Sequence, residues 1–238
     1  MINQDPILIT GTGRSGASII AAVINTCGVF GGDMGKKNGM HENTTIRDII
    51  VKPYLNRMGA DSEGQFPLPK QFTIPLDWKN TIEGIMVNEG YKNGPWMYKD
   101  SRIGLTWKVW DHAFPNAKWV LVRRKTSDIV RSCTRTGFMK AFKSEKIRSE
   151  LDFACEEDGW LWWVREQEKI YTEMAQKVNL MEIWPERMVQ RDYKQLYEMI
   201  EWLGLAWKSE ALFLIDALLW GTHKRKEKTK WQEQLQQK

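Results

Sequence analysis

The run Pro6-Ile7-Leu8-Ile9-Thr10-Gly11-Thr12-Gly13-Arg14-Ser15-Gly16-Ala17-Ser18 decides the fold. Pro6–Thr10 is a short apolar stretch closed by glycines, the pattern of a buried strand entering a tight loop. Ala17–Ile24 follows, apolar nearly all round, which predicts a helix packed on a sheet with Gly28 able to end it. Strand, glycine turn and helix N-terminus in that order aim backbone N–H groups at one point, a setting that suits an anion.

The loop fits more than one motif. As GxGxxG it calls for a second strand ending in an acidic residue about 20 positions on, to hold a ribose. After Cys27 the chain reads Gly28-Val29-Phe30-Gly31-Gly32-Asp33-Met34-Gly35, glycine-rich and short, so Asp33 is poorly set for that task. As GxxxxGK[ST] the spacing from Gly11 to Gly16 and Ser18 is right, but Ala17 occupies the lysine position and a triphosphate loses its β/γ contact. Arg14 inside the loop restores a positive charge.

Working outward, Trp96–Lys99, Lys118–Val122 and Leu180–Trp184 are further strand candidates, each followed by a polar turn and helical periodicity. Repeated β-loop-α units predict an α/β fold, a central parallel sheet flanked by helices. From Gly31 to Gly94 the pattern weakens, with helices expected only at Thr44–Arg57 and Leu76–Glu89, and this part is read as facing the substrate. A long helix over Leu151–Val178, then Tyr193–Leu203 and Ser209–Leu219, makes an α-rich C-terminal half.

Composition narrows the class. The 238 residues, 42% hydrophobic, are enough for one sizeable core. No run approaches the roughly 20 apolar residues of a membrane span, and the N-terminus lacks the pattern of a signal peptide, so a cytoplasmic protein without a membrane span is expected. Three cysteines, three histidines and no CxxC give neither a disulfide framework nor a metal cluster. The net charge of +5 is concentrated in the basic polar stretch 223–238, which predicts a solvated tail after a single domain over 1–222, and no nucleic-acid surface. The 13 tryptophans fall largely at helical spacing and are read as core.

The segment Arg14-Ser15-Gly16 resembles the 5′-phosphosulfate loop of the PAPS-dependent sulfotransferases, in which a strand ends in a GxxRSGTS-type loop; Ala17 stands where that family has a hydroxyl. The resemblance calls for a second strand, an arginine, and a serine eight residues on. Trp119–Val122, Arg124 and Ser132 supply them, with Lys125-Thr126 in place of the family's asparagine-proline. A guanidinium fork and a hydroxyl can share one phosphate. Trp96–Arg102 looks like the strand with a KDPR-type ending, which brings Lys99 toward the transferred group and leaves Asp100 to orient a lysine or act as base. Trp184–Met188 and Trp202–Trp207 resemble the YExL…FLGLxW region.

This resemblance implies a fold like that of the P-loop nucleoside triphosphate hydrolases. It implies 3′-phosphoadenosine 5′-phosphosulfate (PAPS) as sulfuryl donor and adenosine 3′,5′-bisphosphate as product. The acceptor would be a hydroxyl or amine of a carbohydrate, lipid or small molecule. Gly13, Arg14, Ser15, Gly16, Ala17, Ser18, Arg124 and Ser132 would bind the donor, with Arg14 and Lys99 also stabilising charge. Glu42 is the first choice of base, as in the glutamate-type branches, and His41 the second. His112 is read as structural. Gly221–Lys226 has a loose counterpart in a late basic loop of the family, though a tail is the simpler reading. Two other functions fit parts of the pattern: a P-loop nucleotide or small-molecule kinase, and a non-catalytic nucleotide- or nucleic-acid-binding protein.

Overall fold

A computed structural model describes residues 2–35 and 40–218, and the basic stretch 223–238 lies outside them. Four strands, β1 (Ile7–Thr10), β2 (Met97–Lys99), β3 (Lys118–Val122) and β4 (Leu180–Ile183), form one sheet in the order β2-β1-β3-β4. Every pairing is parallel, with Ile9 facing Lys99 on one side and Val120 on the other, and Val122 facing Ile183. Phe30 makes a single parallel bridge to Trp96, so the second strand that a dinucleotide fold requires shrinks here to one residue.

Both faces of this sheet are covered, as all-parallel sheets require. Ile7, Ile9, Val120 and Val122 pack with Ile20, Val23 and Ile24 of α1 (Ala17–Thr26). Leu8, Tyr98, Trp119 and Leu121 point the other way into an aromatic layer. There Tyr98 stacks on Trp110 with ring centroids 5.1 Å apart, and Trp78 meets Trp110 edge-on at 5.5 Å. Trp96, Trp110, Trp119 and Trp160 are completely buried, as expected for tryptophans that build the core.

Between α1 and β2 the chain forms a helical stretch in three parts. Asn43 caps its start by accepting from the Ile46 N–H at 2.9 Å. α2 (Thr44–Ile46) then runs through a π turn at Arg47–Val51 into α3 (Lys52–Arg57). Pro53, which has no N–H to donate, sits in the first turn of α3, and a wider turn before it relieves the interrupted ladder. The helix expected over Thr44–Arg57 is present over that span, with a π turn in its middle. α4 (Trp78–Asn88) and α5 (Trp107–Ala113) follow, the latter carrying His112 on its exposed side.

After β3 come α6 (Thr126–Arg135), α7 (Glu145–Glu150) and α8 (Glu156–Ala175). The long helix expected from Leu151 begins only at Glu156, because Asp152 takes φ 56° and Cys155 with Asp158 closes a capping box. α6 and α8 pack through Ile129, Cys133, Trp160 and Val164, with the Phe142 ring filling the space beside Gly159. α9 (Pro185–Val189), α10 (Lys194–Leu203) and α11 (Glu210–Leu218) complete the α-rich half, Gly204 ending α10 at φ 76°. Among the described residues no helix is long and apolar enough to cross a membrane.

Candidate functional site

The order β2-β1-β3-β4 sets the loops that leave β1 and β3 side by side at the carboxyl edge of the sheet, where open α/β folds bind ligands. A cleft of about 1220 Å³ opens there, lined by the loop Thr12–Ser18, by Lys99 at the end of β2 and Arg102 beyond it, and by Arg124 after β3 and Ser132 on α6. The two candidate anion sites read from the sequence therefore face one space.

The loop's shape follows from its glycines. Gly11 takes φ 153°, and a Cβ there would strike the Val122 carbonyl of the neighbouring strand. Gly16 takes φ 99° in the left-handed region and caps α1 with no side chain of its own. The first turn of α1 holds no acidic residue, and the N–H groups of Ala17 and Ser18 have no partner within the helix. Ser15 is buried, and its hydroxyl has no hydrogen-bond partner among the described residues. A buried hydroxyl in that state keeps its hydrogen-bonding capacity free for a partner outside the chain.

Arg14 itself has φ 76°, a left-handed conformation that is strained for a residue with a Cβ. The turn sends its side chain across the cleft, where Nε donates to Ser132 Oγ at 2.8 Å and the guanidinium lies 5.2 Å from the centre of the Phe138 ring. Arg124 donates from Nη1 to the Arg14 carbonyl at 2.9 Å. The two sites are thereby fastened to each other. Burial lowers both guanidinium pKa values, that of Arg124 to about 10, against the opposing pull of Asp128 and Glu186. Cationic groups held at such a desolvation penalty favour an incoming anion.

The other end of the cleft is a buried ion-pair network. Lys99 Nζ donates to Glu42 Oε1 at 2.8 Å, to the Met40 carbonyl at 2.9 Å and to Ser18 Oγ at 3.2 Å. Arg102 reaches Glu42 Oε2 at 3.1 Å and Glu63 at 3.3 Å, with Arg47 at 3.6 Å from the same Glu42 oxygen. Asp100 is fully buried and binds Arg102 Nε at 2.8 Å while accepting from the Tyr98 hydroxyl at 2.9 Å. It orients an arginine, where the sequence suggested a lysine. Burial and the neighbouring Asp100 push the Tyr98 hydroxyl pKa far up, so it remains a donor.

Of the two candidate bases, Glu42 borders the cleft and His41 is not among its lining residues. His41 takes φ 50°, and burial followed by the charge of Lys99 lowers its pKa. Gly13, Ser15, Gly16, Ala17 and Ser18 all line the cleft beside Arg14, Arg124 and Ser132. The sequence reading assigned no role to Arg102, Arg47 or Gln65. Gln65 is buried and ties two loops of the cleft wall, accepting from the Lys140 and Ala141 N–H groups at 2.7 and 3.1 Å and donating to the Phe138 carbonyl at 2.9 Å. Arg102 closes the Lys-Asp-Ser-Arg run and was open to inference, whereas Gln65 sits in a stretch without periodicity.

No protein-family model and no curated protein matches the chain. Solved structures do. A sulfotransferase domain from the curacin biosynthetic pathway superposes with a TM-score of 0.59 at 12% identity, over 89% of this chain and 78% of that one. Sulfotransferase STF9 from Mycobacterium avium gives 0.50 at 11% identity, over 91% and 68%. Sulfotransferase STF1 from Mycobacterium tuberculosis H37Rv gives 0.50 at 12% identity, over 91% and 71%. The chain has the P-loop-like α/β fold of these sulfotransferases.

Proposed function

We propose that the chain binds PAPS and transfers its sulfuryl group to a hydroxyl or amine of a carbohydrate, lipid or small-molecule acceptor. The observation that carries this reading is the pair of anion sites bolted together across one cleft, Arg14 to Ser132 at 2.8 Å and Arg124 to the Arg14 carbonyl at 2.9 Å. A nucleotide with phosphates at both ends of its ribose suits two such sites at once. The orphaned Ser15 hydroxyl and the uncapped start of α1 fit an oxyanion at the loop, and Ala17 fits a diphosphate-like group better than a triphosphate.

PAPS supplies a sulfuryl group joined to a phosphate that leaves. The protein's work is then positioning and charge stabilisation, as in phosphoryl transfer. In this reading Arg14 and the amides of residues 16–18 hold the leaving phosphate, while Arg124 and Ser132 hold the 3′-phosphate. Lys99, fixed from two sides by Glu42 and Ser18, sets a positive charge beside the reacting centre. The bond from sulfur to the phosphate oxygen breaks, a bond from sulfur to the acceptor forms, and the acceptor proton passes to a base. Glu42 is assigned that role because it borders the cleft and keeps lone pairs on both oxygens. His41 is the second choice, its lowered pKa leaving a neutral imidazole able to accept a proton. We assign the protein to the cytoplasm, in keeping with free thiols at Cys27, Cys133 and Cys155.

Calorimetry of the whole chain tests the donor. Adenosine 3′,5′-bisphosphate is expected to bind without metal and more tightly than ATP with magnesium. The opposite preference would overturn the reading in favour of a kinase. Bisphosphate binding without any turnover across hydroxyl and amine acceptors would indicate a non-catalytic nucleotide-binding protein instead.

A further inference from the structure

Gln167 is buried in the cleft wall, and neither the anion loop nor the Glu42 network uses it. It lies on α8 one turn after Trp163 and one turn before Tyr171, so the three side chains share a face. The Tyr171 hydroxyl donates to Gln167 Oε1 at 2.8 Å. Tyr171 is wedged where Gly104 leaves room, since a Cβ there would sit 2.7 Å from its ring.

That contact sets which way the amide points: the phenol gives its one proton, and Gln167 offers oxygen to receive it. The NH2 end is turned away from Tyr171, and among the described residues no acceptor meets it. It borders the cleft together with Thr12 and Ser101, between the anion loop and the strand end that carries Lys99.

We propose that the Gln167 amide donates a hydrogen bond to a non-bridging oxygen of the donor's sulfuryl group, a contact that adenosine 3′,5′-bisphosphate cannot make. The inference rests on the PAPS reading above. A neutral donor suits this position: the sulfuryl group spreads one negative charge over three oxygens, whereas the phosphates, with more charge per oxygen, fall to Arg14 and Arg124. Gln167 neither gains nor loses a proton during transfer. Its role is to hold the sulfuryl group in line while the sulfur–oxygen bond to phosphate breaks and the bond to the acceptor forms.

The test is the ratio of two affinities, measured by calorimetry on the full chain with PAPS and with adenosine 3′,5′-bisphosphate. Gln167→Met keeps the length of the side chain and removes the donor. It is expected to weaken PAPS by about tenfold, the scale of one hydrogen bond to a charged group, and to leave the bisphosphate within about twofold. Gln167→Glu keeps an acceptor for Tyr171 and puts a carboxylate against the sulfuryl oxygens, so the ratio is expected to widen further. Retained bisphosphate binding also serves as the folding control. If both nucleotides weaken equally in both variants, or neither changes, the proposal is overturned while the donor reading stands. A wild-type chain that binds neither nucleotide overturns both.

Discussion

The two ends of the cleft treat charge in opposite ways. On the proposed donor side Arg14, Arg124, Lys125, Arg131, Arg135 and Arg191 line the wall against only Asp128 and Glu186, a clear cationic excess. On the other side Arg47, Lys52, Lys99 and Arg102 meet Glu42, Asp48, Glu63 and Asp100 in ion pairs of 2.7 to 3.6 Å. The first arrangement is completed by a ligand and the second is complete in itself. A buried ion-pair network is poor evidence of stability, since its desolvation penalty can exceed the attraction, but it holds its members in one geometry. The donor end is therefore read as a place for anions, and the other end as a rigid frame that holds Lys99 and the proposed base Glu42 in one geometry.

Breaking the self-complete end should give the largest effect. Glu42→Ala leaves Lys99, Arg102 and Arg47 facing one another without their shared carboxylate, and removing one partner of a buried pair typically costs about 3–5 kcal/mol. Urea unfolding is expected to show a loss of that order. Bisphosphate affinity in the remaining folded protein should hardly change, because Glu42 belongs to the other end. A loss of nucleotide affinity as large as the loss of stability would show that the ends are not independent.

Removing charge from the donor end should have the reverse signature. Arg124→Ala is expected to lower bisphosphate affinity roughly hundredfold, the usual scale for truncating a hydrogen-bonded charge against an anion. Folding stability should change little, since relief of a buried cation whose pKa burial lowers to about 10 offsets the lost bond to the Arg14 carbonyl. Calorimetry and thermal melting on the same variant separate the two effects.

The contrast also explains what the sequence revealed. That the loop and Arg124 would share one cleft was legible because the parts are local: a strand, a glycine loop and a helix in one run, and Arg124 eight residues before Ser132 on a strand-to-helix segment. Backbone geometry requires those residues at those spacings, so the pattern survives without an alignment. The sheet was legible for the same reason, each strand being a short apolar run before a turn. The other end is assembled across distance. Glu42 meets Lys99 from 57 positions away and Arg102 from 60, and the π turn that winds the helical stretch after it has no signature in periodicity. Gln65 and Gln167 carry no local signal at all, as their roles come from loops and helices that only the fold brings together.

Ser15→Ala sharpens the comparison at a single atom. The buried hydroxyl has no partner among the described residues, so its removal should leave the free protein unchanged or stabilise it by up to about 1 kcal/mol. The same substitution removes a contact awaiting an oxyanion, and bisphosphate affinity is expected to fall about fivefold to tenfold. A Tm that rises without nucleotide and a smaller Tm gain with it would give both signs in one pair of melting curves. A destabilised free protein would mean that Ser15 serves the loop and not a ligand.

The smallest effect belongs to His41, next to Glu42 in the chain but outside the cleft lining. Burial first, and then the Lys99 ammonium, lower its pKa below the ordinary 6.5. The unfolded chain then binds a proton at a higher pH than the folded one. Stability from this group is present above about 6.5 and is lost as pH falls from there through the lower folded value. His41→Asn removes the titration, so between pH 7.5 and 5.5 the variant should lose less Tm than the wild type. Replacing Lys99 by methionine would shrink the wild-type pH dependence only in part, because burial is the larger cause and remains. If His41→Asn leaves the pH dependence of melting untouched, the imidazole is not coupled to the frame that holds Lys99, and its claim as a second-choice base goes with it.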